Sequence, residues 1–175
     1  MHQAPVLLII AYQAFQALEY NGTVKELEKA HIPFVIASNK AGIAIAADNA
    51  TRVPVKLTIK EINPSHYAGI FLIGGPGALS ALDNQDTYTV MKTFAKTGKP
   101  FGAICVSPRI LAHAGLLTGK KATGWDGDLA LEKLFKQYQI RYIKKNVVTD
   151  DIIVTGNGPS AAPEFGKAII SLLKK

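Results

Sequence analysis

The residue best suited to chemistry is the chain's single cysteine, in Phe101-Gly102-Ala103-Ile104-Cys105-Val106-Ser107-Pro108. It stands between an apolar, strand-like run and a helix-like one. A thiol at a sharp strand-to-helix turn is pushed clear of the sheet edge. The following helix then aims its unpaired N–H groups and positive dipole end at the sulfur. Both effects favour thiolate over thiol, so a pKa below that of free cysteine is expected and Cys105 reads as a nucleophile. The positions two before and two after it are Ala103 and Ser107, small as the Gly-x-Ser-x-Gly elbow of hydrolases requires. The same residues allow a second reading, an inert buried cysteine, because free cysteine is among the most buried residue types.

A nucleophile needs an oxyanion site and a base. Gly74-Gly75-Pro76-Gly77 ends another apolar run, and glycine flexibility there can turn backbone N–H groups toward the sulfur or a substrate oxygen. A tight turn without function fits those four residues equally well. As a nucleotide loop they fail, having no Gly-Lys-Ser/Thr ending and no completed Gly-x-Gly-x-x-Gly. The histidines are badly placed: His2 in the terminus, His31 at a helix exit, His66 before a strand, His113 two turns down the helix after the cysteine. The acidic and amide candidates are Gln16, Glu19, Asp126 and Asp128. Glu19 is three residues beyond Gln16 and so on the same helix face, although a solvated surface glutamate is the commoner state.

The elements that must position these groups follow from the hydrophobic pattern. Val6 to Ala11, Phe34 to Ser38, Gly69 to Ile73 and Phe101 to Ile104 are short, continuously apolar runs, the mark of parallel strands covered on both faces. Helical spacing fills the intervals: Phe15 through Lys29, a stretch through Phe94, and Pro108 to about Ala114. A short strand at 121–123, a helix near 129–138, apolar runs at 147–148 and 152–154 and a helix over 161–173 complete the chain. Gly42 to Leu57 alternates weakly and reads as a small antiparallel excursion. Strands alternating with helices predict one α/β domain over residues 1–175, a mostly parallel sheet with helices on both faces. Ligands bind such sheets outside the carboxyl ends of the strands. Five segments are expected to meet there: 12–16, 74–77, 105–106, 124–128 and 156–159.

Composition narrows the class. A chain of 175 residues with 48% hydrophobic content supports one complete core. One cysteine allows no internal disulfide, the first residues lack a signal-peptide pattern and no apolar run reaches membrane-spanning length, so a reducing cytoplasm is expected. The net charge of +7 is spread over dispersed lysine pairs, including Lys120-Lys121, Lys144-Lys145 and Lys174-Lys175. No basic stripe with interleaved aromatics marks a nucleic-acid surface.

Three stretches together are similar to the ThiJ/PfpI superfamily. They are Ala103 to Ala112 with Ala114 to Thr123, the glycine loop Leu72-Ile73-Gly74-Gly75, and Val154 to Pro159 with Glu164-Phe165; Ala14 to Glu19 aligns with the family's first helix. Members include intracellular proteases, protein deglycases and metal-free glyoxalases, and the Parkinson-disease-associated redox protein. The resemblance implies a flavodoxin-like three-layer α/β sandwich with the nucleophile on an elbow, and at least a homodimer. It also implies departures. The family's first-helix Glu, which hydrogen-bonds the sulfur, is matched here to Gln16. Proteolytic members carry His directly after the nucleophile, where Val106 stands. Deglycase-like members place His where Trp125 stands. Glutamine exchanges no proton near neutral pH, and valine and tryptophan offer no base.

The expected protein acts through Cys105 on a small carbonyl or acyl compound. Gly75 and Val106 N–H groups form the oxyanion hole, Gln16 positions sulfur or substrate, and Asp126 or Asp128 carries a proton. Glu19, Gly74 and Trp125 border the pocket. No metal, cofactor, nucleic acid or membrane is required. Without the usual acid–base pair, worth about 10²–10⁴-fold in rate, turnover should be slow, and peptidase and glyoxalase activities absent or very weak. The rival is a stress-protective protein whose Cys105 is oxidised to the sulfinate without turnover, and a homologue without activity is the third possibility.

Overall fold

The computed structural model describes residues 4–174, so His2 and Lys175 lie outside the described residues. The chain runs β1 (Val6–Ile10), β2 (Gln13–Phe15), α1 (Ala17–Lys29), β3 (Phe34–Ser38), β4 (Gly42–Ala46), β5 (Arg52–Val55), β6 (Leu57–Thr58), β7 (Gly69–Leu72), α2 (Ala78–Leu82) and α3 (Gln85–Ala95). It continues through β8 (Phe101–Ile104), α4 (Pro108–His113), β9 (Lys121–Ala122), α5 (Leu131–Gln137), β10 (Arg141–Tyr142), β11 (Val147–Asp150), β12 (Ile153–Gly156) and α6 (Ala162–Leu173). A seven-stranded sheet has the order β11-β12-β8-β7-β1-β3-β6. It is parallel except at its edge, where β11 pairs antiparallel with β12. The parallel strands bring their carboxyl ends to one edge of the sheet.

Alternation along β1 shows how the layers form. Val6, Leu8 and Ile10 pack with Leu27, Phe71, Phe165 and Ile169 beneath α1 and α6. Leu7 and Ile9 point the other way, into a core with Ile70, Phe94, Ile110 and Phe135 beneath α2 to α5. Both faces of the strand are covered, which is why its sequence is unbroken apolar rather than alternating. The result is the expected three-layer α/β sandwich.

Some boundaries move. The excursion at 42–57 is an antiparallel hairpin of β4 and β5, with β2 added in parallel to β4. Phe15 ends β2 instead of opening the helix, and Gln16 caps α1. The single helical stretch expected before Phe94 divides at Asp83-Asn84, where Asn84 caps α3 by accepting from Thr87 N–H at 3.2 Å. The strand near 121–123 stays outside the main sheet and pairs with β10. None of the described helices is long and apolar enough to cross a membrane.

Candidate active site at the Cys105 elbow

Cys105 follows β8 directly and has φ +66°, a left-handed conformation that costs a non-glycine residue roughly 1 kcal/mol or more. The surroundings hold it there. Cys105 N–H donates to Gly156 O at 2.9 Å, and Trp125 N–H donates to Cys105 O at 2.7 Å. Ser107, fully buried, donates from Oγ to Ile73 O at 2.9 Å and ties the elbow to the end of β7. The elbow expected from sequence is thus a strained turn pinned by three neighbouring segments.

Gly74 and Gly75 approach it from β7. A Cβ on Gly74 would lie 2.5 Å from Cys105 Cβ and 2.7 Å from Glu19 Oε2, so only glycine fits. Gly75 has φ +127°, open to glycine alone, and its N–H together with that of Val106 hydrogen-bonds the Cys105 sulfur. These are the two N–H groups expected as oxyanion donors.

The carboxyl group at the sulfur is Glu19, and this corrects the assignment of that position to Gln16. Gln16 is the N-cap of α1: its Oε1 accepts from Leu18 N–H at 3.3 Å, and its N–H donates to Gly74 O at 2.9 Å. A cap residue is not helical and turns its side chain to its own helix's first N–H groups, so it is the residue three positions later that faces inward. Glu19 has no solvent exposure, accepts from Gly74 N–H through Oε2 at 2.9 Å and hydrogen-bonds the Cys105 thiol. Burial pushes its carboxyl from an ordinary 4.5 up to about 7, with the thiol and the Gly74 N–H opposing the rise. The proton-exchanging group judged missing from sequence is present.

The expected low thiol pKa is also corrected. Burial first, and then the charge of Glu19, push the thiol up; the Val106 and Gly75 N–H groups act in the opposite direction. Two anions are disfavoured in so small a dry volume, so Glu19 and Cys105 titrate as a coupled pair.

Neither aspartate lines the cavity at Cys105. Asp128 receives both terminal nitrogens of Arg109, at 2.7 and 2.8 Å, and this pairing holds its carboxyl at about 2. Asp126 Oδ1 accepts from Leu131 N–H at 2.8 Å, in the first turn of α5. Trp125, from the same loop, does reach the site. It forms one wall of a cavity of about 340 Å³ that Cys105, Gln16, Gly75, Leu79 and Pro159 complete. All five segments expected at the strand ends contribute to it. Among the described residues no histidine does: His113 is instead paired with Asp83 at 2.7 Å on the α4 face. A larger cavity, of about 640 Å³, lies near Lys99 and Leu172 at the opposite, amino-terminal end of the strands. Cys105 does not line it. Among the described residues no cluster of three or more His, Cys, Asp or Glu stands together to hold a metal.

The sequence signal for Glu19 was the pair Gln16-x-x-Glu19, the spacing of a capping box, in which the fourth residue sits at N3 of the helix rather than beside the cap.

The DJ-1/PfpI family model matches residues 4–172. A protein of Methanocaldococcus jannaschii with no characterised function is 32% identical over the whole of this chain and 85% of its own. Deglycase PfpI of Pyrococcus furiosus is 26% identical over 96% of this chain and 99% of its own. Among solved structures, a ThiJ/PfpI domain protein from Brachyspira murdochii superposes with a TM-score of 0.92 at 24% identity, covering 99% of this chain and 98% of the other.

Proposed function

The chain belongs to the DJ-1/PfpI family, and on that premise we propose that Cys105 adds to the carbonyl carbon of a small carbonyl or acyl compound held in the cavity it shares with Trp125. The observation that carries this is the Glu19 carboxyl, hydrogen-bonded to the thiol and held at about 7, where a side chain both takes and returns a proton at neutral pH.

The steps balance without a co-reactant. The thiol proton passes to the Glu19 carboxylate as sulfur attacks; the S–C bond forms and the carbonyl π pair moves to oxygen. That oxyanion accepts hydrogen bonds from Gly75 and Val106 N–H, the two groups already converging on the sulfur, and Glu19 returns the proton to it. An aldehyde gives a hemithioacetal. Gln16 borders the cavity and contributes an amide for orientation.

The test is covalent capture of a small 2-oxoaldehyde on the full chain, followed by intact-mass spectrometry across pH. Wild type should gain one adduct, lost in Cys105→Ala, with a rate that rises as pH passes through about 7 because the base is the ionised Glu19. Glu19→Gln should lose that inflection. No adduct, or an adduct whose pH dependence is the same in both proteins, would overturn the proposal.

A second reading rests on the same two N–H donors. A peroxide would convert the thiol to a sulfinate, each oxygen arriving from one peroxide with release of water, and the new oxygens would meet donors already in place. Gln16 borders the cavity, and with its oxygen turned to Leu18 N–H its amide nitrogen would be a third donor. As for assembly, we propose at least a homodimer, on the strength of the family resemblance. Sedimentation of a pure monomer at micromolar concentration would refute it.

A further inference from the structure

Arg109 is 7% exposed, an unusual place for a guanidinium, which belongs inside a protein only when it is paired. It sits on α4 four residues beyond the nucleophile, and its partners all come from one loop. Nη1 donates to Asp128 Oδ2 at 2.8 Å, Nη2 to Asp128 Oδ1 at 2.7 Å, and Nη2 also to Trp125 O at 3.1 Å. The bidentate pair fixes direction as well as distance. On its other side the Trp125 peptide is held by the elbow itself, through Trp125 N–H to Cys105 O at 2.7 Å. The Trp125 backbone is therefore clamped between the nucleophile and the helix behind it. Its indole lies against Gly127 of its own loop, with the Arg109 guanidinium 5.9 Å from the ring.

The wall so fixed faces a cavity completed by Leu79, Val106, Pro76 and Pro159, with Gln16 and Cys105 as the polar side chains that border it. Among the described residues no charged side chain lines it. Arg109, the nearest cation by chain position, has spent its terminal nitrogens on Asp128 and Trp125 and offers an anion little. A carboxylate or phosphate entering this cavity would lose its hydration without a cation to replace it.

Resting on the assignment of this cavity as the Cys105 substrate site, we propose that it selects neutral, apolar carbonyl compounds, and that the Arg109–Asp128 clamp sets this preference by fixing Trp125 as the wall. Arg109 and Asp128 are positioning residues: they touch Trp125 and its loop, not the substrate.

The chain has a single tryptophan, so its fluorescence reports this wall directly. Wild-type protein is titrated with benzamide and with benzoate, two rings of nearly the same shape that differ in charge, while Trp125 emission is followed. Benzamide should bind at least about tenfold more tightly than benzoate, which corresponds to roughly 1.4 kcal/mol. Arg109→Met and Asp128→Asn should each weaken benzamide by about tenfold and increase acrylamide quenching of Trp125, with Arg109→Lys intermediate because an ammonium cannot replace the fork. Asp128→Asn leaves the buried arginine in place and serves if Arg109→Met fails to fold. Equal or tighter binding of benzoate overturns the substrate class. Unchanged benzamide affinity and unchanged quenching in the clamp variants overturn the clamp. The titration needs no reaction at sulfur, so a thiol inert toward aldehydes would sink the carbonyl-addition reading and leave this result standing.

Discussion

Two carboxylates lie within one layer of Cys105 and behave in opposite ways. Glu19 is sealed on α1 with no cation beside it; it hydrogen-bonds one backbone N–H and the thiol, and its pKa rises to about 7. Asp128 is 42% exposed and meets a guanidinium with both oxygens, and its pKa falls to about 2. The first is left able to exchange a proton at neutral pH. The second is a permanent anion that holds a loop. Proximity to a nucleophile therefore says little about role; the partner and the solvent decide it.

The contrast can be broken most strongly at Glu19. Its folded pKa is raised above the unfolded value, so the protonated carboxyl stabilises the fold below about pH 4.5 and that contribution is lost as pH rises through about 7. Glu19→Gln keeps the neutral shape at every pH. It should be more stable than wild type by about 3 kcal/mol at pH 8, the 2.5-unit rise converted at about 1.4 kcal/mol per unit, and the gap should close toward pH 4. Denaturant titrations at a series of pH values measure this, and a gap that does not vary with pH would contradict the burial argument.

Gly74→Ala attacks the same side by crowding. The new methyl would meet Cys105 Cβ and Glu19 Oε2, and overpacking of this kind costs about 1–3 kcal/mol. Thermal melting should show the loss, and iodoacetamide labelling of Cys105 should lose its inflection near pH 7 as Glu19 is displaced.

On the other side, Asp128→Asn removes an ion pair that solvent already screens. The cost at neutral pH should be about 1 kcal/mol. Because the folded pKa is depressed, the difference from wild type persists above the ordinary value of 3.8 and narrows as pH falls toward about 2. The smallest effect belongs to Asp126→Asn. Asparagine supplies the same oxygen to Leu131 N–H, so stability should change by less than about 0.5 kcal/mol. The pH 7 inflection in Cys105 labelling should stay where it is; its disappearance would return Asp126 to the role of proton carrier.

Much of this is legible in the residues alone. Continuous apolar runs such as Val6-Leu7-Leu8-Ile9-Ile10 mark strands buried on both faces, and their alternation with helical spacing places five loops on one edge. The cavity draws on all of those loops. The elbow is legible for the same reason: strand, cysteine, small residues and Pro108 lie within eight consecutive positions. The acid that meets the sulfur is less legible. Gln16 and Glu19 look alike as helix-face residues until the helix start is known, and the start depends on Phe15 pairing as a strand with β4.

What the sequence determined by itself is the set of features encoded locally: the strand and helix order, the parallel sheet, the edge on which ligands bind and the turn that carries Cys105. Only the tertiary structure decided which acid meets the sulfur and which acids are already committed. Glu19 meets Gly74 across 55 residues and Arg109 meets Asp128 across 19, and contacts at such separations have no period in the chain. The pKa values that make one carboxyl a proton carrier and the other a tether come from desolvation and pairing, which exist only once those distant segments have packed.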